Sequence, residues 1–158
     1  KSVGPVNNDI DSSYSATYVS SNTKVVKVSG RGTYVRIIAV GPGKAEVRCI
    51  TDGKLATAKI KVTVKQPVKS VKFNKKSVRL PKKGAKAKLK ATVNPTNASV
   101  KKLTVKSENT RVAKVNKSSV NSGATITVTA VKRGKTYVRA TATDGSKKFK
   151  RILVTVKK

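Results

Sequence analysis

The sequence predicts an all-β protein made of two tandem β-sandwich domains, residues 1–65 and 66–158, the first N-terminally incomplete. Three observations predict it. Apolar and polar residues alternate with period two along most of the chain, turn residues punctuate that alternation, and the second half repeats the landmarks of the first. No segment carries helical spacing, and Val, Thr, Ala and Lys dominate a composition with no Met or Trp. That is the composition of half-buried strands rather than of helices.

The alternation defines the elements in order. In the first half Val35, Ile37 and Ala39 share one parity, and Ala58, Ile60, Val62 and Val64 alternate with Lys59, Lys61 and Thr63. In the second half Ala85, Ala87, Leu89, Ala91 and Val93 alternate with Lys86, Lys88, Lys90 and Thr92. Ile126, Val128 and Ala130 then alternate with Thr127 and Thr129, and Val138, Ala140 and Ala142 with Arg139 and Thr141. Period two sends one set to a core and the other to solvent. Turn signals separate these runs: Gly41-Pro42-Gly43, Asp52-Gly53, Pro81 to Gly84, Asn94-Pro95, Arg133-Gly134 and Asp144-Gly145. The two Asp-Gly pairs predict hairpins.

The repeat is read from four landmarks in the same order. Ser21 to Val28 (SNTKVVKV) recurs as Glu108 to Val115 (ENTRVAKV), 87 positions on. Gly43-Lys44 recurs as Gly134-Lys135, Asp52-Gly53 as Asp144-Gly145, and Val62 to Lys65 as Val154 to Lys157, with the offset drifting only to 92. The boundary falls at Lys65-Gln66-Pro67, where a proline ends a strand-like run. Before the shared landmarks the second repeat spends residues 68–102, the first only residues 1–15. One or two strands are therefore expected to be missing from the first. Its exposed edge could take a strand from another chain by strand exchange; the alternative, slightly favoured, is that the gap reflects only where the chain was cut.

Charge is the extreme feature. Residues 1–65 carry 11 Lys and Arg against 4 acids, a net +7; residues 66–158 carry 26 against 2, a net +24. Lysine alone explains a soluble surface, but balanced surfaces mix both signs. The near absence of acids points to a polyanionic partner. The candidate contacts are the row Lys86, Lys88 and Lys90, spaced about 7 Å by strand rise, and the cluster Lys147, Lys148, Lys150 and Arg151. An anionic polysaccharide or cell-wall polymer is the expected ligand. Specific nucleic-acid reading is not expected, because the chain has 29 Lys to 8 Arg and few aromatics.

The second repeat resembles a known family, the bacterial immunoglobulin-like domains of group 2. The resemblance rests on Val71-Lys72-Phe73, Val78-Arg79-Leu80, Gly84 and the run from Leu89 to Pro95 (LKATVNP). It rests further on the run from Leu103 to Asn109 (LTVKSEN), Val112 to Val115, Asp144-Gly145 and Val154-Thr155-Val156. The first repeat matches from about Tyr18 to Val64. The resemblance implies immunoglobulin-like sandwiches, found in bacterial surface adhesins, as spacers in secreted enzymes and in phage structural proteins. It implies a secreted or cell-surface location. The family's tryptophan is replaced by Val105 and Tyr18, so the core there must pack differently.

No catalytic constellation is visible, and no metal or cofactor is expected. The chain has no histidine, which removes the usual general base and the commonest metal ligand. Cys49 shares parity with Ala45 and Val47, and predicts a buried core thiol. Asp52 and Asp144 fall at equivalent turns. Asn22 and Asn109 predict turn caps bonding their own backbone rather than glycan contacts. Glu46 takes the outward parity and Glu108 a loop, which speaks against an internal isopeptide bond. No run of ~20 apolar residues could span a membrane. The start at Lys1, without Met or signal peptide, reads as a piece of a longer precursor.

Overall fold

The computed structural model describes residues 16–31, 34–51 and 54–157, the side chains of residues 54–58 apart. Among the described residues there are fourteen strands and no helix. They fall into two units, Lys1–Lys65 and Gln66–Lys158.

The first unit holds β1 (Thr17–Ser20), β2 (Val26–Ser29), β3 (Arg36–Ala39), β4 (Gly43–Thr51) and β5 (Lys54–Val64). An antiparallel sheet runs β1-β4-β5, and a ribbon pairs β2 with β3. Among its described residues the buried core comprises Val25, Val26, Ala45 and Val47, with Val28, Val62 and Val64 packed against them. The Asp52-Gly53 turn lies outside the described residues, but β4 and β5 pair antiparallel on either side of it.

The second unit is a full sandwich. Its strands are β6 (Ser70–Phe73), β7 (Ser77–Leu80), β8 (Lys86–Asn94), β9 (Lys102–Ser107), β10 (Ala113–Val115), β11 (Ser119–Asn121), β12 (Thr125–Ala130), β13 (Gly134–Ala142) and β14 (Phe149–Val156). One sheet runs β10-β12-β8-β6, the other β11-β9-β13-β14-β7. The opening segment is split between them: β6 pairs antiparallel with β8, and β7 pairs parallel with β14. The core collects the inward parity of both sheets, including Leu80, Leu89, Leu103, Val105, Ile126, Val128, Val138 and Val154, each at most 1% exposed. Complete burial of such side chains contributes about 1.5–3 kcal/mol each. Val105 closes the core at the position where the resemblance implies tryptophan.

The two units share a register. Tyr18 faces Cys49 as Val105 faces Ala140. Val26 faces Ala39 as Ala113 faces Ala130. Gly43 faces Val64 as Gly134 faces Val156. Thus β1 to β5 correspond to β9, β10, β12, β13 and β14. No counterpart of β6, β7 or β8 occurs among the described residues of the first unit, and β11 is matched there by a single bridge, Thr17 to Arg31, where Thr104 pairs with Ser119. The front of the complete unit spends three strands, because its opening segment breaks into β6 and β7 to serve both sheets; residues 1–15, where the first unit's expected gap falls, lie outside the described residues.

Burial follows from that difference. Val128 is fully buried with β8 paired beside its strand, whereas its counterpart Ile37 is 37% exposed. Ile152 is buried beside β7, whereas its counterpart Ile60 is 49% exposed. Cys49 is half-buried, not buried as its parity predicts. It faces the half-buried Tyr18, while the equivalent Ala140 is fully enclosed. Parity gives a side chain's direction, but a second layer of strands is needed to enclose it.

Candidate anion-binding faces

The β8 lysines are placed by strand alternation. Leu89, Ala91 and Val93 fill the core, so Lys86, Lys88 and Lys90 emerge on the outer face, all exposed. Across the sheet they stand opposite Thr129, Thr127 and Thr125 of β12. Lys114 of β10 faces Thr129 from the other side, and Lys72 of β6 faces Thr92 of β8. Five lysines therefore surround a band of threonines, at about 4.8 Å between strands and about 7 Å along them. Small β-branched neighbours leave the ammonium groups open to a ligand.

The second unit's two acids lie elsewhere and are engaged. Glu108 sits 3.7 Å from Arg151. Asp144 accepts hydrogen bonds from the Val68 amide (2.6 Å), the Ser146 amide (3.1 Å) and the Ser146 hydroxyl (2.6 Å). Partial burial pushes the Asp144 pKa up, but these bonds outweigh it and hold the carboxyl below its ordinary range. Asp144 thus does more than turn the chain. The connection from Thr143 to Lys148 is longer than a two-residue hairpin loop, and it fastens the start of the unit across 76 positions.

The C-terminal cluster does not join the β8 row. Lys147 and Lys148 lie in that connection, and Lys150 and Arg151 lie on β14, in the opposite sheet. Lys150 takes the inward parity opposite Ala140, exposed at the strand's start. Arg151 takes the outward one, lying over the Tyr137 ring at 5.0 Å. Arg139 lies over the Phe149 ring at 3.7 Å. Lys106 pairs alongside Arg139. This second outer face, with exposed Tyr137 and Phe149, was not singled out from sequence. Outward parity on β13 and β14 was the signal that could have found it.

The first unit solves the same surface differently. Glu46, at the position of Tyr137, bonds Lys59 at 3.0 Å and Arg48 at 3.2 Å. Hydrogen bonds from Lys59 and then Arg48 lower its pKa. Asn22 and Asn109 both cap turns, each side-chain oxygen accepting the amide two residues on, Lys24 at 3.1 Å and Arg111 at 3.0 Å. Among the described residues no group of His, Cys, Asp and Glu could hold a metal, and no helix is long and apolar enough to cross a membrane.

Fold and surface together define a class: immunoglobulin-like sandwich modules with charged strand faces. The chain belongs to the bacterial Ig-like domain (group 2) family, whose profile matches residues 67–152. Among solved structures it is similar to surface layer protein SbsC, domains 1-6. Identity is 26% and the TM-score 0.51, over 90% of this chain and 20% of that one. It is similar also to the S-layer protein rSbsC(31-844), at 26% identity and TM-score 0.51, over 89% and 20%. The adhesin InvE of Yersinia pseudotuberculosis is 15% identical with a TM-score of 0.46, over 92% and 49%. The chain spans about a fifth of the SbsC structures' length. No curated protein matches it.

Proposed function

We propose that this chain is a non-catalytic module of a bacterial cell-surface or secreted protein, serving adhesion or anchoring, and that its second unit contacts anionic polymers. The carrying observation is the outer face of β10-β12-β8-β6. Lys72, Lys86, Lys88, Lys90 and Lys114 stand there around threonines, while both acids of the unit are engaged elsewhere. A regular array of unpaired ammonium groups gains most from a linear polymer of regular negative charge. Likeness to a surface layer protein supports the location. Binding of poly(glycerol phosphate) or hyaluronan at physiological salt tests the reading. Absence of binding there ends it and leaves a spacer role, which neutralising Lys86, Lys88 and Lys90 would not impair.

A second reading concerns residues 16–65. Among them β3 pairs only with β2, and Ile37 and Ile38 on β3 and Val40 just after it are exposed. We infer that a strand from another molecule adds there, antiparallel, as β8 adds to β12. Light scattering over a wide concentration range tests it, and a constant monomer mass ends it.

A further inference from the structure

The lysine row leads somewhere. From Lys90 to Lys86 it runs toward the turn before β8, where three connections meet at one end of the second unit. Lys83 comes from the β7–β8 turn, Arg111 from the β9–β10 turn, and Lys132 and Arg133 from the β12–β13 turn. With Lys114 on β10 they line an open recess of about 680 Å³. Its remaining lining is Thr110 and Val131, so five cations meet there with no acid and no aromatic ring. Among the described residues none of the five makes an ion pair.

The recess has a fixed frame. The Val131 and Lys132 amides both donate to the Val112 carbonyl, at 2.9 and 3.2 Å. The Gly84 amide donates to the Ala130 carbonyl and the Ala130 amide to Ala85, both at 2.9 Å. The Asn109 carbonyl accepts from Val112 and Ala113 at 3.2 Å, and the Asn109 amide donates to the Thr136 hydroxyl at 3.0 Å. Backbone bonds tie the three turns together, so the cations project from a preorganised rim.

The first unit supplies an internal comparison. It keeps the same frame: the Val40 and Gly41 amides donate to the Val25 carbonyl, at 2.9 and 3.3 Å, and Asn22 caps the same turn. It also keeps Lys24 and Lys27 where the second unit has Arg111 and Lys114. Yet Gly41-Pro42 stand where the second unit has Lys132-Arg133. The turn therefore folds without those two cations, and clustering them against like charges is unfavourable unless an anion neutralises them. Their presence points to a ligand rather than to stability.

We propose that this recess binds a phosphate group of a phosphodiester-linked polyol or sugar polymer, with Arg111 and Arg133 forking onto its oxygens and Lys83, Lys114 and Lys132 completing the charge. Arginine's planar fork matches phosphate geometry, and the β8 row continues the track for successive repeats. The lack of an aromatic ring gives a nucleic-acid base nothing to stack on. This proposal rests on the polymer-contact reading above and deepens it to one site.

The test titrates the full chain with poly(glycerol phosphate) at physiological salt, and separately with glycerol 3-phosphate followed by amide resonances. The variant Arg111→Gln/Arg133→Gln is compared with Lys86→Gln/Lys88→Gln, which removes the same charge. The recess variant is expected to weaken polymer binding at least about tenfold, the row variant only a few-fold. Glycerol 3-phosphate is expected to shift the amides of residues 110–112 and 131–133. Equal losses in the two variants overturn the recess while leaving the polymer reading in place. Monomer shifts without polymer binding overturn the polymer reading and keep the recess. Equally tight, arginine-dependent binding of a DNA oligonucleotide of matched charge overturns the choice of ligand. Unchanged circular dichroism establishes that both variants fold.

Discussion

Replacing Asp144 with alanine removes the fastening between the β13–β14 connection and the start of the second unit. Three hydrogen bonds are lost, to the Val68 amide, the Ser146 amide and the Ser146 hydroxyl. Bonds to a charged acceptor contribute about 1.5–3 kcal/mol each in favourable settings. Asp144 is only half-buried, so solvent screening puts each in the lower part of that range or under it. The Val68 amide matters most, because Val68's side chain is 2% exposed and its N–H loses its acceptor. The net loss is about 2–3 kcal/mol, which lowers the melting temperature of a unit this size by roughly 10–20 °C. Asp144→Asn keeps one acceptor oxygen and costs about half as much. Because the folded carboxyl has a depressed pKa, its charge stabilises above the unfolded value near pH 4. That contribution is lost as pH falls through the folded value. The gap between wild type and Asp144→Asn should therefore shrink below about pH 4. Scanning calorimetry of the full chain reads both effects, with hydrogen exchange at Val68 as a local check. An unchanged transition in Asp144→Ala, or a gap that widens in acid, refutes the reasoning.

The remaining predictions concern the frame shared by the units. Gly134 has φ 150°, and a Cβ there would meet Val112 Cγ2 at 3.1 Å, so Gly134→Ala should cost about 1–3 kcal/mol in calorimetry. Gly43, with φ 151° and a Cβ position 2.7 Å from Val25 Cγ2, predicts the same loss in the first unit, and an unaltered transition in either would count against the clash. Ile152→Ala should destabilise by about 2–5 kcal/mol, while Ile60→Ala at the equivalent half-exposed position should cost about 1 kcal/mol. Equal costs in urea titrations would mean that the first unit buries that face after all.

Much of the fold was legible because period two and internal repetition are local. The inward parity of Leu89, Val128 and Ala140, the outward parity of Glu46 and the lysine row, and the turn roles of Asn22 and Asn109 all follow from the chain read a few residues at a time. Gly43 and Gly134 were visible as a repeated landmark. Their reason, a backbone conformation pressed against Val25 and Val112, was visible only in three dimensions. The candidate site was legible only in part. The sequence placed Lys86, Lys88 and Lys90 side by side but grouped Lys147, Lys148, Lys150 and Arg151 as one further cluster, which the fold divides between a connection and the two parities of β14.

The sequence by itself determined the all-β fold class, the repetition of a unit, and the almost unopposed positive charge of its second copy. These are properties of alternation, spacing and composition, and none requires distant residues to meet. Tertiary structure decided which side chains become enclosed, since Cys49 and Ala140 share a parity but only Ala140 lies beneath a second layer. It also decided where charges converge. Lys83, Arg111 and Arg133 are far apart in the chain and meet only because three turns close on one end of the sandwich. Charge density is additive along a sequence, but a binding recess depends on which loops the topology brings together.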